Sequence, residues 1–284
     1  MSPITLRANC KVNLSLRITG VLPNGYHTLD SLFLPLPEPY DLLHITQSAE
    51  PGLTVTCSEP ALDPRDNTLT HAYTLYAKAS SFCPPLALTL EKGIPSGAGL
   101  GGGSSDAAVL LRYLNDRAPK RLDTKALNAI AARVGADVPF FLQACPCRVR
   151  GIGDILEPYT PGLTGFWLVL VCPALKVSSS WAYAAWDALR PFSASHDLTK
   201  QASGANETHS CFHYLNDLEE AVFPAYPELV RIKCEFFRHG AAAAVMSGSG
   251  ASQFGLFRNQ HAAEKTAAFF QAREMRTYCQ VLSY

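Results

Sequence analysis

Between Pro95 and Ala108 the chain reads Pro-Ser-Gly-Ala-Gly-Leu-Gly-Gly-Gly-Ser-Ser-Asp-Ala-Ala, with five glycines between Gly97 and Gly103. Glycine keeps no side chain between backbone and ligand, and it reaches backbone angles that other residues avoid. A run of such residues can turn successive N–H groups toward one anion. Ala107, Ala108, Leu110, Leu111 and Leu114 then repeat with helical spacing. A glycine loop that opens a helix is a ready phosphate site, because its free N–H groups and the helix dipole both favour negative charge.

Three readings of the loop compete. A P-loop needs Gly-Lys-Ser/Thr at its end, and here Ser104 follows Gly103 with no lysine between. Gly97-x-Gly99-x-x-Gly102 fits a dinucleotide fingerprint, with Asp123 about 20 residues on. Asp123, however, reads as the N-cap of a helix closed by Gly135, where the fingerprint wants the end of a second strand. The third reading is a nucleoside-triphosphate loop of another kind. A flexible linker fits poorly, because apolar segments flank the loop tightly, Leu86–Leu90 before it and the amphipathic helix after it.

The 284 residues suffice for two domains, and 48% apolar residues support a sizeable core. Lys+Arg and Asp+Glu stand at 24 each, which argues against nucleic acid or a membrane surface as the main partner. No apolar run is long enough to span a bilayer, and the N-terminus lacks the core of a signal peptide. Nine cysteines without framework spacing point to reduced thiols and a cytoplasmic location. Cys145 and Cys147 have no second Cys/His pair at ligand spacing, so a metal reading loses to buried thiols.

Cys10 to Ile18 alternates as a strand, with Val12, Leu14, Leu16 and Ile18 on one face and Lys11, Asn13 and Ser15 on the other. A turn follows at Leu22–Tyr26. Further strands are expected over 31–36, 42–46, 53–57, 86–90, 166–171 and 278–282, with helices over 67–79, after the glycine loop, from Asp123 and over 261–275. Ser193 to Ser210 reads as a polar surface loop. Strands and helices intermix, so the fold class is α+β, with no internal repeat.

The glycine loop resembles the phosphate-binding motif of the GHMP kinase family, which includes galactokinase, homoserine kinase and mevalonate kinase. Three other segments are similar to motifs of that family: Cys10-Lys-Val-Asn-Leu, Gly135-Ala-Asp-Val-Pro and Ser247-Gly-Ser-Gly-Ala. Asn24-Gly-Tyr-His-Thr-Leu is similar to a cytidine-binding turn in one branch of the family, and Ala174 to Tyr183 to a segment whose aromatic residue stacks on cytosine.

The resemblance implies a two-domain fold. Residues 1–158 would form a ribosomal-protein-S5-like α/β domain carrying the ATP loop, and 159–284 a ferredoxin-like domain. It implies ATP-dependent phosphorylation of an alcohol on a cytidyl substrate, in isoprenoid precursor synthesis, with Mg²⁺ as the metal. Lys11 and Asp137 would be catalytic, with Asp137 the base and Lys11 orienting it. Pro95, Gly97, Gly99, Leu100, Gly101, Gly102, Gly103, Ser104 and Ser105 would hold ATP. Asn13, Tyr26, His27, Phe33 and Tyr183 would bind substrate, with Tyr26 and His27 on one side of the base and Tyr183 on the other.

Each of these residues also has a plainer reading: a solvated lysine, an N-cap aspartate, a hairpin turn, a core tyrosine. Other classes stay open, namely a GHMP kinase for another small alcohol, an NAD-type oxidoreductase or a non-catalytic nucleotide-binding module. A monomer or weak homodimer is expected.

Overall fold

A computed structural model describes residues 3–59, 63, 65–190 and 214–284. The expected surface loop over 193–210 lies outside them. In chain order the elements are β1 (Ile4–Val21), β2 (His27–Gln47), β3 (Leu53–Cys57), α1 (Thr68–Ser80), β4 (Leu86–Glu91), α2 (Gly102–Arg117), α3 (Thr124–Val134), α4 (Val138–Gln143) and β5 (Cys147–Gly151). Then come β6 (Ile155–Pro158), β7 (Trp167–Cys172), α5 (Ser179–Leu189), α6 (Glu219–Ala225), α7 (Pro227–Arg238), β8 (Ala243–Met246), β9 (Gln253–Phe257), α8 (Gln260–Gln271) and β10 (Arg276–Val281).

The chain forms two compact units that alternate along the sequence. One holds Met1–Lys11, Pro35–Ser96 and Gly101–Cys145; the other holds Val12–Leu34, Gly97–Leu100 and Pro146–Tyr284. β1 and β2 each contribute residues to both.

In the first unit, β4 pairs antiparallel with β2, Leu42 opposite Glu91 and Gln47 opposite Leu86, and β3 lies parallel beside β4. The alternation of β4 buries Leu86, Leu88 and Leu90. Asn67 opens α1 with a capping box, its side chain accepting from Leu69 N and Thr70 N while Thr70 Oγ1 accepts from Asn67 N. Asp123 caps α3 by accepting from Ala126 N at 2.7 Å. It therefore starts a helix, as the sequence reading expected against the dinucleotide fingerprint.

In the second unit, β5 pairs with β2 from Leu29 to Phe33, and β6 with β5. A separate antiparallel sheet has the order β10-β7-β9-β8, with α5–α7 between β7 and β8 and α8 between β9 and β10. This β-α-β-β-α-β succession with the first strand central is the expected ferredoxin-like arrangement. Its core gathers Val169, Val171, Trp186, Phe236, Phe257 and Phe270. Leu229, Ile232 and Phe236 form the buried stripe of α7. Gly255 on β9 leaves room for the Phe236 ring, two atoms of which would stand 3.0 Å from an added Cβ.

Two expectations change. The strands expected over 31–36 and 42–46 are one element, the 21-residue β2. Pro35, Pro37 and Pro39 fall between the stretch of β2 paired with β5 and the stretch paired with β4, and β1 also pairs with β2. The last helix ends at Gln271, before the left-handed Glu274 at φ 60°. No helix among the described residues is long and apolar enough to cross a membrane. The eight described cysteines are free thiols.

Candidate active site

The glycine loop leaves β4 and turns through Gly97, Gly99 and Gly101 at φ of 69°, 77° and 72°, in the left-handed region that favours glycine. Gly101 is the N-cap of α2 and offers no side chain to cap it. Ser105 N is the first amide to bond back, to Gly101 O at 2.9 Å. The N–H groups of Gly102, Gly103 and Ser104 thus have no acceptor within the helix, and the helix dipole adds positive potential there. Ser105 is buried at 2% exposure, whereas Ser104 is half-buried.

Within the first unit, packing explains two of these glycines. A Cβ on Gly101 would stand 2.8 and 2.9 Å from the Phe141 ring and 3.3 Å from Lys11 Cε. One on Gly102 would meet Ile94 Cγ2 at 3.0 Å and Lys92 Nζ at 3.2 Å. The loop is therefore flanked by two lysines.

Lys11 is only 4% exposed, so its ammonium needs a partner to offset the loss of water. Asp137 supplies one, with Oδ2 3.5 Å from Lys11 Nζ. The sequence also allowed Asp137 to cap a short helix. It does occupy the N-cap of α4, with Pro139 in the first turn, but its carboxylate makes no capping bond. A part-exposed carboxylate held by a buried ammonium, next to a loop of free N–H groups, can take a proton where an anion binds.

Sequence reasoning missed the second lysine. Lys92 Nζ bridges Asp41 and Asp106, 3.2 Å from the Asp106 carboxylate. Asp41 is fully buried and also accepts from Gly93 N at 2.7 Å and Ile94 N at 2.8 Å, fixing the chain as it enters the loop. Burial, with Asp41 also nearby, pushes the Asp106 carboxyl up to about 8 despite Lys92. Asp106 Oδ1 is buried without a hydrogen-bond partner. The only sequence signal was an acid placed inside the helix that follows the loop.

In the second unit, Gly97–Leu100 is tied to the loop between β8 and β9. Ser247 Oγ donates to Gly99 O at 3.0 Å, and Ser252 N donates to Ala98 O at 3.2 Å. Asn216 Nδ2 donates to Met246 O at 2.8 Å and Gly248 O at 2.7 Å. Asn13 is 1% exposed; its N–H donates to Ser247 Oγ at 3.2 Å and its side chain to Ser31 Oγ at 3.0 Å. Lys11, Asn13 and Ser15 are all buried, so both faces of this stretch of β1 are covered.

His27 follows the turn closed by Gly25 N to Leu22 O and Leu22 N to Tyr26 O. Its ring centroid lies 4.6 Å from that of Tyr183, tilted 33°, and Trp186 meets it edge-on at 6.1 Å. Its Nε2 is 2.8 Å from Asp187 Oδ1. The rings of His27 and Tyr183, expected on opposite sides of a base, are here in contact with each other. Tyr183 also packs on the core, so its plainer reading holds as well. Tyr26 is 63% exposed, while Phe33 is 4% exposed. Asp187 was not anticipated, because α5 itself was not.

Comparison with known proteins agrees with this arrangement. The family model described as GHMP kinases N terminal domain matches residues 67–144, and that described as GHMP kinases C terminal matches 193–275. The chain is similar to the 4-diphosphocytidyl-2-C-methyl-D-erythritol kinase of Nitratidesulfovibrio vulgaris, 48% identical over 98% of this chain and 99% of that protein. The enzyme of the same name from Solidesulfovibrio magneticus is 46% identical over 95% and 93%. A crystal structure of 4-(cytidine 5'-diphospho)-2C-methyl-D-erythritol kinase superposes with a TM-score of 0.77, at 32% identity and with 99% and 100% coverage. By the two domain matches and by near-full-length identity, the chain belongs to the GHMP kinase family and is an ATP-using kinase with that family's two-domain fold.

Proposed function

We propose that this kinase transfers the γ-phosphoryl group of ATP to the 2-hydroxyl of 4-diphosphocytidyl-2-C-methyl-D-erythritol, a step of the non-mevalonate route to isoprenoid precursors. The observation that carries the reading is the Lys11–Asp137 pair at 3.5 Å, with the Lys11 stem against Gly101 at the start of α2. Phosphoryl transfer depends chiefly on positioning and charge stabilisation. The N–H groups of Gly102, Gly103 and Ser104 hold phosphate oxygens, and Pro95 to Leu100 shape the approach. Asp137 accepts the proton of the substrate hydroxyl as its oxygen attacks the γ-phosphorus and ADP leaves. A positioned base of this kind is worth roughly 10²–10⁴-fold. Lys11 holds the Asp137 carboxylate in place and donates to the transferring group.

No three His, Cys, Asp or Glu side chains converge among the described residues. A Mg²⁺ that arrives with ATP would be held mainly by phosphate oxygens and water. The Ser104 hydroxyl, with Ser105 behind it, is the side chain we assign to it. Mg²⁺ bound there supplies charge neutralisation on the phosphates.

Tyr26, His27 and Tyr183 bind the cytidyl group, Phe33 supports them from the core, and Asn13 fixes the adjoining strand. We read residues 1–158 and 159–284 as the two family domains. The enzyme acts in the cytoplasm on small molecules, as a monomer or weak homodimer, and needs neither nucleic acid nor a membrane.

The test is ADP release with Mg²⁺, ATP and a panel of alcohols. Turnover only with the cytidyl substrate supports the reading. Equal turnover with mevalonate, homoserine or a sugar overturns it.

A further inference from the structure

Tyr183, Trp186 and Asp187 occupy positions i, i+3 and i+4 of α5, one face of that helix, and all three meet His27. The first two touch its ring; the third takes a ring nitrogen. A carboxylate only accepts hydrogen bonds, so in the 2.8 Å contact with Asp187 Oδ1 it is His27 Nε2 that carries the proton. In the neutral imidazole the other nitrogen, Nδ1, is then an acceptor. Nδ1 makes no hydrogen bond among the described residues, and it is not one of the buried unpartnered atoms, so it reaches the surface.

We infer that Asp187 is a positioning residue that sets the hydrogen-bond polarity of His27, so that the site selects cytosine over uracil. The inference rests on the reading of His27 as part of the base site. Cytosine and uracil share shape and stacking surface. They differ at C4, where cytosine carries an amino donor and uracil a carbonyl acceptor. An acceptor at Nδ1 pairs with the amino group and opposes the carbonyl. The opposite tautomer would suit uracil, but it would set the Nε2 lone pair against the Asp187 carboxylate. Aromatic stacking on Tyr183 cannot make this distinction, because every base has a π-face. A mismatched polar edge can, because it leaves buried groups unpaired.

The experiment measures cytidine diphosphate and uridine diphosphate binding to wild type and to Asp187→Ala, with ATP as the control ligand. ¹⁵N NMR of the His27 ring is recorded on both proteins without ligand. Wild type should prefer cytidine diphosphate by about tenfold or more, and its ring should show the Nε2–H tautomer. In Asp187→Ala the preference should fall at least fivefold, both tautomers should appear, and ATP affinity should stay unchanged.

A variant that keeps the full preference, or a wild-type ring protonated at Nδ1 alone, overturns the role of Asp187 and leaves the base site standing. The NMR result holds even where the variant folds poorly. A wild type that binds both diphosphates equally overturns the base site itself.

Discussion

Gly99→Ala should damage the second unit more than Gly97→Ala, although both glycines lie two residues apart in the same loop. Both have left-handed backbones, at φ of 77° and 69°. An alanine there costs about 1–2 kcal/mol from the backbone alone. At Gly97 that is the whole cost, because an added Cβ meets nothing within 4 Å. At Gly99 the Cβ would overlap the carbonyl oxygen of Ser247, lying 3.0 Å from its carbon and 3.1 Å from Gly250 O. These are backbone atoms, so no rotamer change relieves the overlap, and the two loops must part. Parting breaks the bond from Ser247 Oγ to Gly99 O and weakens that from Ser252 N to Ala98 O.

At a net ~0.5–1.5 kcal/mol each, two such bonds add about 2 kcal/mol. Gly99→Ala should therefore melt roughly 4–8 °C below Gly97→Ala. The assay is thermal unfolding followed by tryptophan fluorescence. All three tryptophans, Trp167, Trp181 and Trp186, lie in the second unit, so the signal reports the unit that holds the contact. Equal melting of the two variants would refute the argument, because it would mean that Gly99 does not meet Ser247.

Other variants test other parts of the site. Asp137→Asn should fold and bind both substrates while turnover falls by about 10²-fold or more, since an amide cannot take the proton; near-normal kcat in a folded variant would remove Asp137 as the base. Tyr183→Ala should raise KM for the cytidyl substrate about tenfold, at ~1–3 kcal/mol of stacking per base, with ATP affinity unmoved in a direct titration. Asp106→Asn should change how stability depends on pH. The folded pKa of Asp106 is raised to about 8, above the unfolded ~3.9, so the native state holds one more proton between these values. Stability from this group is complete below about pH 4 and is lost as pH rises toward 8, by at most about 1.4 kcal/mol per pH unit. The Asn variant should gain on wild type across that window in urea melts; a difference independent of pH would show that Asp106 ionises freely. Phe236→Ala should cost ~3–5 kcal/mol, read as a lower urea midpoint, because its fully buried ring packs on Phe270 at 5.0 Å.

Much of the site was legible because local sequence carries local physics. The spacing of glycines from Gly97 to Gly103 predicts a phosphate-binding helix start, and the structure has Gly101 as the N-cap of α2, with no side chain to cap it. Asn67 and Asp123 announce their helices because each side chain caps within three residues of itself. The alternation of Cys10 to Ile18 reads as a strand for the same reason. Where long-range pairing decides, such signals fall short: the two strands expected over 31–36 and 42–46 are one element, because β2 pairs with β5 over its first part and with β4 over its last.

Other features depend on residues far apart in the chain. Lys11 and Asp137, or Asp41, Lys92 and Asp106, are close only because strand and helix starts meet, and no spacing encodes that. Asp137 shows the difference most clearly. Its N-cap position was written in Gly-Ala-Asp-Val-Pro, but the direction of its carboxylate was set by a buried ammonium 126 positions earlier, which needed a partner more than the helix needed a cap. Likewise the sequence placed His27 beside a turn, while tertiary packing brought Asp187, 160 positions later, to within 2.8 Å of its Nε2.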